Sequence, residues 1–137
     1  MGELSLQKMK HLLDNTRRHD ITFNADGRIE ISARVSKALG LHPGDVIDVA
    51  IDELGRECYL YIKHRAETLS GRHKAQCHVT NSRIKHCNSL RAHSVEICRQ
   101  VLDMRGFSDS QARLPVGDPI YIDGLNTALP IIIRYNR

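Results

Sequence analysis

The sequence predicts a small, mostly β fold with short helices: a β-barrel made from two ββαβ-like halves, preceded by an N-terminal helix. Three observations lead there. Short runs of alternating apolar and polar residues, each bounded by Gly, Pro, Asn or Asp, fill residues 21–63. Residues 41–49 (LHPGDVIDV) lie without a gap on residues 114–122 (LPVGDPIYI), sharing Leu, Gly, Asp and Ile in register. Hydrophobic residues make up 41% of the 137 and aromatics only 4%, so an aliphatic core large enough for one domain is available.

Residues 1–20 are expected to carry an amphipathic helix. Leu6, Met9, Leu12 and Leu13 fall on one face, with Lys8, Lys10, Arg17 and Arg18 mostly elsewhere. This pattern suits a packing or dimerisation helix, or a basic arm. The first half of the barrel is assigned to residues 21–64. Residues 21–23 form a strand, and Asn24-Ala25-Asp26-Gly27 turns the chain. Residues 28–31 form the next strand, with Ile29 and Ile31 inward and Arg28 and Glu30 outward. Ser32 caps a helix over 33–39, Gly40 closes it, and Leu41 returns to the core. Pro43-Gly44-Asp45 turns into a strand over 46–52, and residues 58–63 return antiparallel after the turn at Glu53-Leu54-Gly55-Arg56.

Residues 65–76 are polar, contain Ser70-Gly71-Arg72, and read as a linker. Residues 77–137 then form the divergent second half. Its helix spans 94–104 with Val95, Cys98, Val101 and Leu102 inward, and Ser82-Arg83-Ile84 echoes Gly27-Arg28-Ile29. A longer loop comes after the helix, residues 120–122 pair with a closing strand over 130–134, and the turn between them is polar. The spacing gives Gly117 and Asp118 the same turn role as Gly44 and Asp45: positive φ at Gly, backbone N–H bonds to the Asp carboxylate.

The net charge of +4 permits nucleic-acid binding without requiring it, and the absence of Trp argues against stacking platforms for single strands. No apolar run reaches the ~18 residues of a membrane helix, and the first residues lack the apolar core of a secretory leader. Cys58, Cys77, Cys87 and Cys98 are therefore expected to be reduced thiols of a cytoplasmic protein. Cys77, His78, His86, Cys87, His93 and Cys98 cluster in sequence but offer no CxxC or HxxxH pair. Neighbours on a strand also point to opposite faces, so no metal or other cofactor is expected. No phosphate-binding loop, nucleophile elbow or zinc-protease helix occurs. Asp45, Asp48 and Asp52, and the pair Cys87 and His93, have no spacing that favours catalysis, so the chain reads as no enzyme.

The stretch DGRIEISARVSKALGLHPGDVIDVAIDELGRECYLYIK combines Gly27-Arg28-Ile29, Leu39-Gly40, Pro43-Gly44-Asp45 and two closing strands. In that order and spacing it resembles the AbrB/SpoVT/MazE-type swapped-hairpin domain over residues 21–63, with 77–135 as its divergent repeat. Ser32 stands where the family has Pro. The resemblance implies an interleaved swapped-hairpin, cradle-loop barrel, formed by one chain as a pseudo-dimer or by a homodimer. It implies a DNA-binding transcriptional regulator that sets a basic face on double-stranded DNA. Arg28, Arg34 and Lys37 in the first half, and Arg83 and Arg99 in the second, would meet phosphates and base edges. The alternative is a non-catalytic structural or protein-interaction barrel that has lost DNA binding.

Overall fold

The computed structural model describes residues 19–52, 54, 57–66, 77–81, 89–104 and 110–133. The expected N-terminal helix, most of the linker, Arg83, His86 and Cys87 lie outside the described residues. Within them the chain runs β1 (Asp20–Asn24), β2 (Arg28–Ile31), α1 (Ala33–Leu39), β3 (Val46–Ile51), β4 (Cys58–His64), β5 (Cys77–His78) and β6 (Thr80–Asn81). It continues β7 (Leu90–His93), α2 (Val95–Met104), β8 (Gln111–Pro115), β9 (Ile120–Ile122) and β10 (Asn126–Ile131).

The first half forms as its punctuation dictates. Residues in β2 alternate exposed and buried, so Ile29 and Ile31 enter the core. The Ser32 side chain accepts the Val35 N–H at the start of α1, and Gly40 ends the helix in the left-handed region at φ 68°, ψ 39°. Gly44 turns the chain at φ 93°. Asp45 is buried just before β3, where its carboxylate accepts the N–H groups of His42 (2.8 Å) and Ala66 (2.9 Å) and pairs with Arg65 (3.1 Å). This pins the loop after α1 to the end of β4.

The strands form two five-stranded antiparallel sheets. Sheet A has the order β6-β7-β2-β1-β8, and sheet B the order β5-β3-β4-β10-β9. Each sheet mixes strands from before and after the linker, and the two portions meet at two pairings in each. In sheet A these are β7 with β2 and β1 with β8; in sheet B they are β5 with β3 and β4 with β10. The two portions of the chain therefore interlock. The core lies between the sheets: Ile21, Phe23 and Ile29 from sheet A, Leu60 and Leu129 from sheet B, and Val101 from α2. Sheet connections are made at two corners. Residues 77–81 pass from β3 to β7 across the buried Val79, and Val116 bridges Ile131 just after β8.

These corners replace the closed barrel expected from the sequence. The strands split into two sheets, with β6 and β8 ending one and β5 and β9 ending the other. Residue Leu114, aligned in sequence with the loop residue Leu41, instead lies inside β8, paired with Ile21. The second Gly-Asp pair is also not a copy of the first. Gly117 has no positive φ; it sits against the Pro130 ring, where an added Cβ would lie 3.2 Å from Pro130 Cγ. Asp118 is exposed. The closing strand begins at Asn126, ahead of the expected residue 130, because residues 123–125 make a tight turn in which the Leu125 N–H bonds the Ile122 carbonyl at 2.9 Å.

The strand–Ser–helix passage does recur. Ser94 comes after β7 as Ser32 does after β2, and its side chain accepts the Ile97 N–H at 3.1 Å. The inward phase shifts by one residue between the copies: Ile31 before the first Ser is buried, whereas His93 before the second is exposed.

Candidate nucleic-acid interface

Strand register assigns the outward side chains of sheet A to rows. One row crosses all five strands: Thr80, Arg91, Glu30, Thr22 and Arg113. Another begins with the pair His93 and Arg28 on β7 and β2, and the pair Asn24 and Gln111 on β1 and β8 continues it. The second row is tied laterally by side chains. Gln111 Nε2 donates to Asn24 Oδ1 (2.9 Å), and Asn24 Nδ2 donates to the Arg28 carbonyl (2.9 Å). The outward face of sheet A is thus polar, unlike its aliphatic inner face.

Arginines from both portions of the chain meet on this face. Arg28 comes from the first, and Arg91 and Arg113 from the second. Arg91 and Arg113 stand three strand spacings apart, about 14 Å. Carboxylates accompany each. Arg28 pairs with Asp26 at 2.9 Å, both side chains being at least half exposed. Arg113 lies 4.0 Å from Asp20, and Arg91 is directly opposite Glu30. The backbone N–H of Arg28 holds the Asp26 carboxyl below its usual range, and the Arg28 side chain adds to this; slight desolvation opposes it. The His93 ring reaches the Asp26 carbonyl at 3.1 Å and closes the cluster at the turn.

The residues expected from the sequence are not gathered together. Because β2 and β7 run antiparallel, with Ile31 beside Leu90 and Arg28 beside His93, α1 and α2 leave sheet A at opposite ends. Arg34 and Lys37, exposed on α1, are therefore at the end away from Arg28. Arg99 is exposed on α2, the helix that starts beside Arg28: the Ser94 N–H bonds the Gly27 carbonyl at 2.8 Å. Arg83 lies outside the described residues. Arg91, Arg113, His93 and Gln111 are the members of this face that sequence reasoning misses. Their signal is present as alternation, Leu90 and Ala92 inward with Arg91 and His93 outward, then Ala112 and Leu114 inward with Gln111 and Arg113 outward.

No protein-family model, curated protein or solved structure matches this chain.

Cys58, Cys77 and Cys98 are buried, and burial pushes their thiols up to about 12, 11 and 11. They act as small apolar core residues. A cleft of about 240 Å³ runs between α2 and β3, lined by Asp48, Lys63, Glu96 and Gln100 over an apolar floor that includes Ile47 and Val101.

Proposed function

We propose that this chain is a non-catalytic, AbrB-like DNA-binding regulator whose two interleaved portions form a single-chain pseudo-dimer. The observation that carries the reading is the interlocking itself, which sets Arg28 beside the rows of Arg91 and Arg113 on one outward face. Guanidinium groups on a rigid sheet neutralise phosphates and release counterions, a term that needs no base contact. Gln111, exposed at the end of its row, has the amide type that reads adenine edges. The AbrB-like resemblance of residues 21–63 points to the same partner.

Fluorescence anisotropy with a random duplex at low salt tests this. Non-specific duplex binding falls at roughly 1–100 μM, and three phosphate contacts give a slope of log affinity against log salt of roughly −3. Arg91→Ala and Arg113→Ala should each reduce that slope by about 1. Arg28→Ala should do likewise, while Lys37→Ala, on the far end of the sheet, should change it less. Binding that ignores salt, or that survives the triple Arg variant, would overturn the reading.

The alternative is a protein-interaction module, and a specific observation favours it. Asp20, Asp26 and Glu30 match the three arginines on the same face, so the face is balanced rather than basic. No duplex binding at about 100 μM protein, the weak end of the non-specific range, would select this alternative.

A further inference from the structure

One edge of sheet B is only partly paired. Strand β5 meets β3 at Val46 and Ile47, and among the described residues no strand continues it along residues 48–51. The register shows which backbone groups this leaves open. The Asp52 N–H bonds the Glu57 carbonyl at 3.0 Å, so by alternation Ala50 and Asp48 also direct their backbone groups at β4. Val49 and Ile51 direct theirs the other way, at the open edge. Asp48 Oδ1 accepts the Val49 N–H at 2.8 Å and so covers one of these groups with a side chain. The Val49 carbonyl and both backbone groups of Ile51 have no partner among the described residues.

The same edge is one wall of the cleft beside α2. That helix packs against β1 and β2 of sheet A, and its Ile97 and Gln100 supply the opposite wall. Val49, Ile51 and Ile97 line the cleft half-buried, above the buried Ile47 and Val101. A half-open apolar seam beside unpaired backbone groups is what strand addition requires. Backbone bonds supply the affinity, and a pocket at the edge selects the side chain. A helix has no spare backbone N–H to offer Val49 along its length, and a ligand without peptide groups would leave Ile51 unpaired. Size selects the anchor. A cavity of about 150 Å³ takes one benzene-sized group, whereas drug-sized ligands need about 300–1,000 Å³. At about 240 Å³ the cleft suits a single leucine or isoleucine side chain.

We propose that β3 and α2 form a groove that captures an extended segment of a partner protein by strand addition, its backbone paired with Val49 and Ile51 and one aliphatic side chain seated in the cleft. A residue opposite Ile51 places its side chain on the same face of the sheet as Ile51, which is the cleft side. Lys63, Glu96 and Gln100, all exposed, form the polar rim that meets the flanking residues of the segment. The groove is independent of the arginine face on sheet A.

The test uses the full chain and a fluorescein-labelled Lys-Thr-Thr-Leu-Thr-Thr-Lys peptide, expected to bind in the micromolar range. Replacing its Leu by Ala should weaken binding about tenfold. Methylating the Leu backbone nitrogen should abolish binding, whereas methylating that of either adjacent Thr, which faces away from β3, should not. The Ile51 amide should exchange its hydrogen about tenfold more slowly, or slower still, once the peptide is bound. Gln100→Trp, at an exposed helix position where folding is not at risk, should fill the mouth of the cleft and weaken binding about tenfold. No binding, equal binding of all the methylated peptides, or unchanged exchange at Ile51 would overturn the proposal. So would binding that emerges only in the Ala75→Pro variant, since residues 73–76, next to β5 in sequence, would then hold the edge themselves. An oligomer that protects Ile51 and is dispersed by Gln100→Trp, without peptide binding, would assign the edge to a second copy instead.

Discussion

At the scale of single residues, Asp45 and Asp118 occupy matching places in the sequence and unlike places in the fold. Asp45 is buried and satisfies two backbone N–H groups and a guanidinium, so Asp45→Ala leaves those donors facing a protein interior. The expected cost is about 3 kcal/mol, whereas Asp118→Ala, on the surface, should stay within about 0.5 kcal/mol. Urea midpoints with an unchanged slope would measure both. The buried thiols make a second prediction at this scale. Cys58, Cys77 and Cys98 should resist Ellman's reagent in the native protein and react on unfolding. Their raised values, about 12, 11 and 11, also fix the sign of an alkaline effect. Above pH ~8.5 the unfolded thiols release protons that the folded ones keep, so the unfolded state is favoured and stability falls as pH rises toward those values. Cys→Ser variants read by thermal melts between neutral and alkaline pH would check the trend.

At the scale of elements, Ser32 and Ser94 head the two helices. Each Ser→Ala variant should cost about 1 kcal/mol, with Ser32 the larger because its side chain also accepts the Asp20 N–H (3.3 Å) and so ties α1 to β1. Chevron analysis of the two variants would show whether either cap forms before the rate-limiting step. Elements of the first half are legible in the sequence because turn and cap residues mark their ends: Gly27, Ser32 and Gly40 bound β2 and α1 to the residue. The second half is harder to read for physical reasons. β5 and β6 are two residues each, too short to develop a period. β7 carries Arg91 and His93 on its outer positions, which reads as a polar loop until Leu90 and Ala92 are seen facing inward. The likeness of Leu114 to Leu41 hides β8, because a shared residue type there outweighs the alternation of Gln111 to Leu114. The arginine rows are out of reach for a different reason. Arg91, Glu30 and Arg113 become neighbours only through pairings between strands far apart in sequence, and no local pattern encodes that register.

At the scale of the molecule, neither portion owns a sheet. β1 is held between β2 and β8, and β4 between β3 and β10. Residues 19–66 expressed alone should therefore lack cooperative unfolding, since β1 and β4 would expose unpaired edges, and mixing them with residues 77–137 should restore it. The intact chain should stay folded on dilution if the interlock is intramolecular, which sedimentation across a wide concentration range would measure; dissociation into unfolded monomers would mean the strands exchange between chains. Pairings between distant strands also predict slow folding, in the millisecond-to-second range of non-local β topologies. The pairing of Asp20 with Pro115 has a last consequence, for the nascent chain. At about 5–20 residues per second, the first strand emerges from the ribosome roughly 5–20 s before the partner that completes its ladder has been synthesised. During biosynthesis the N-terminal portion must thus be shielded by chaperones or by its own transient contacts, and codon-level pauses before residue 111 would lengthen the most vulnerable moment of its life.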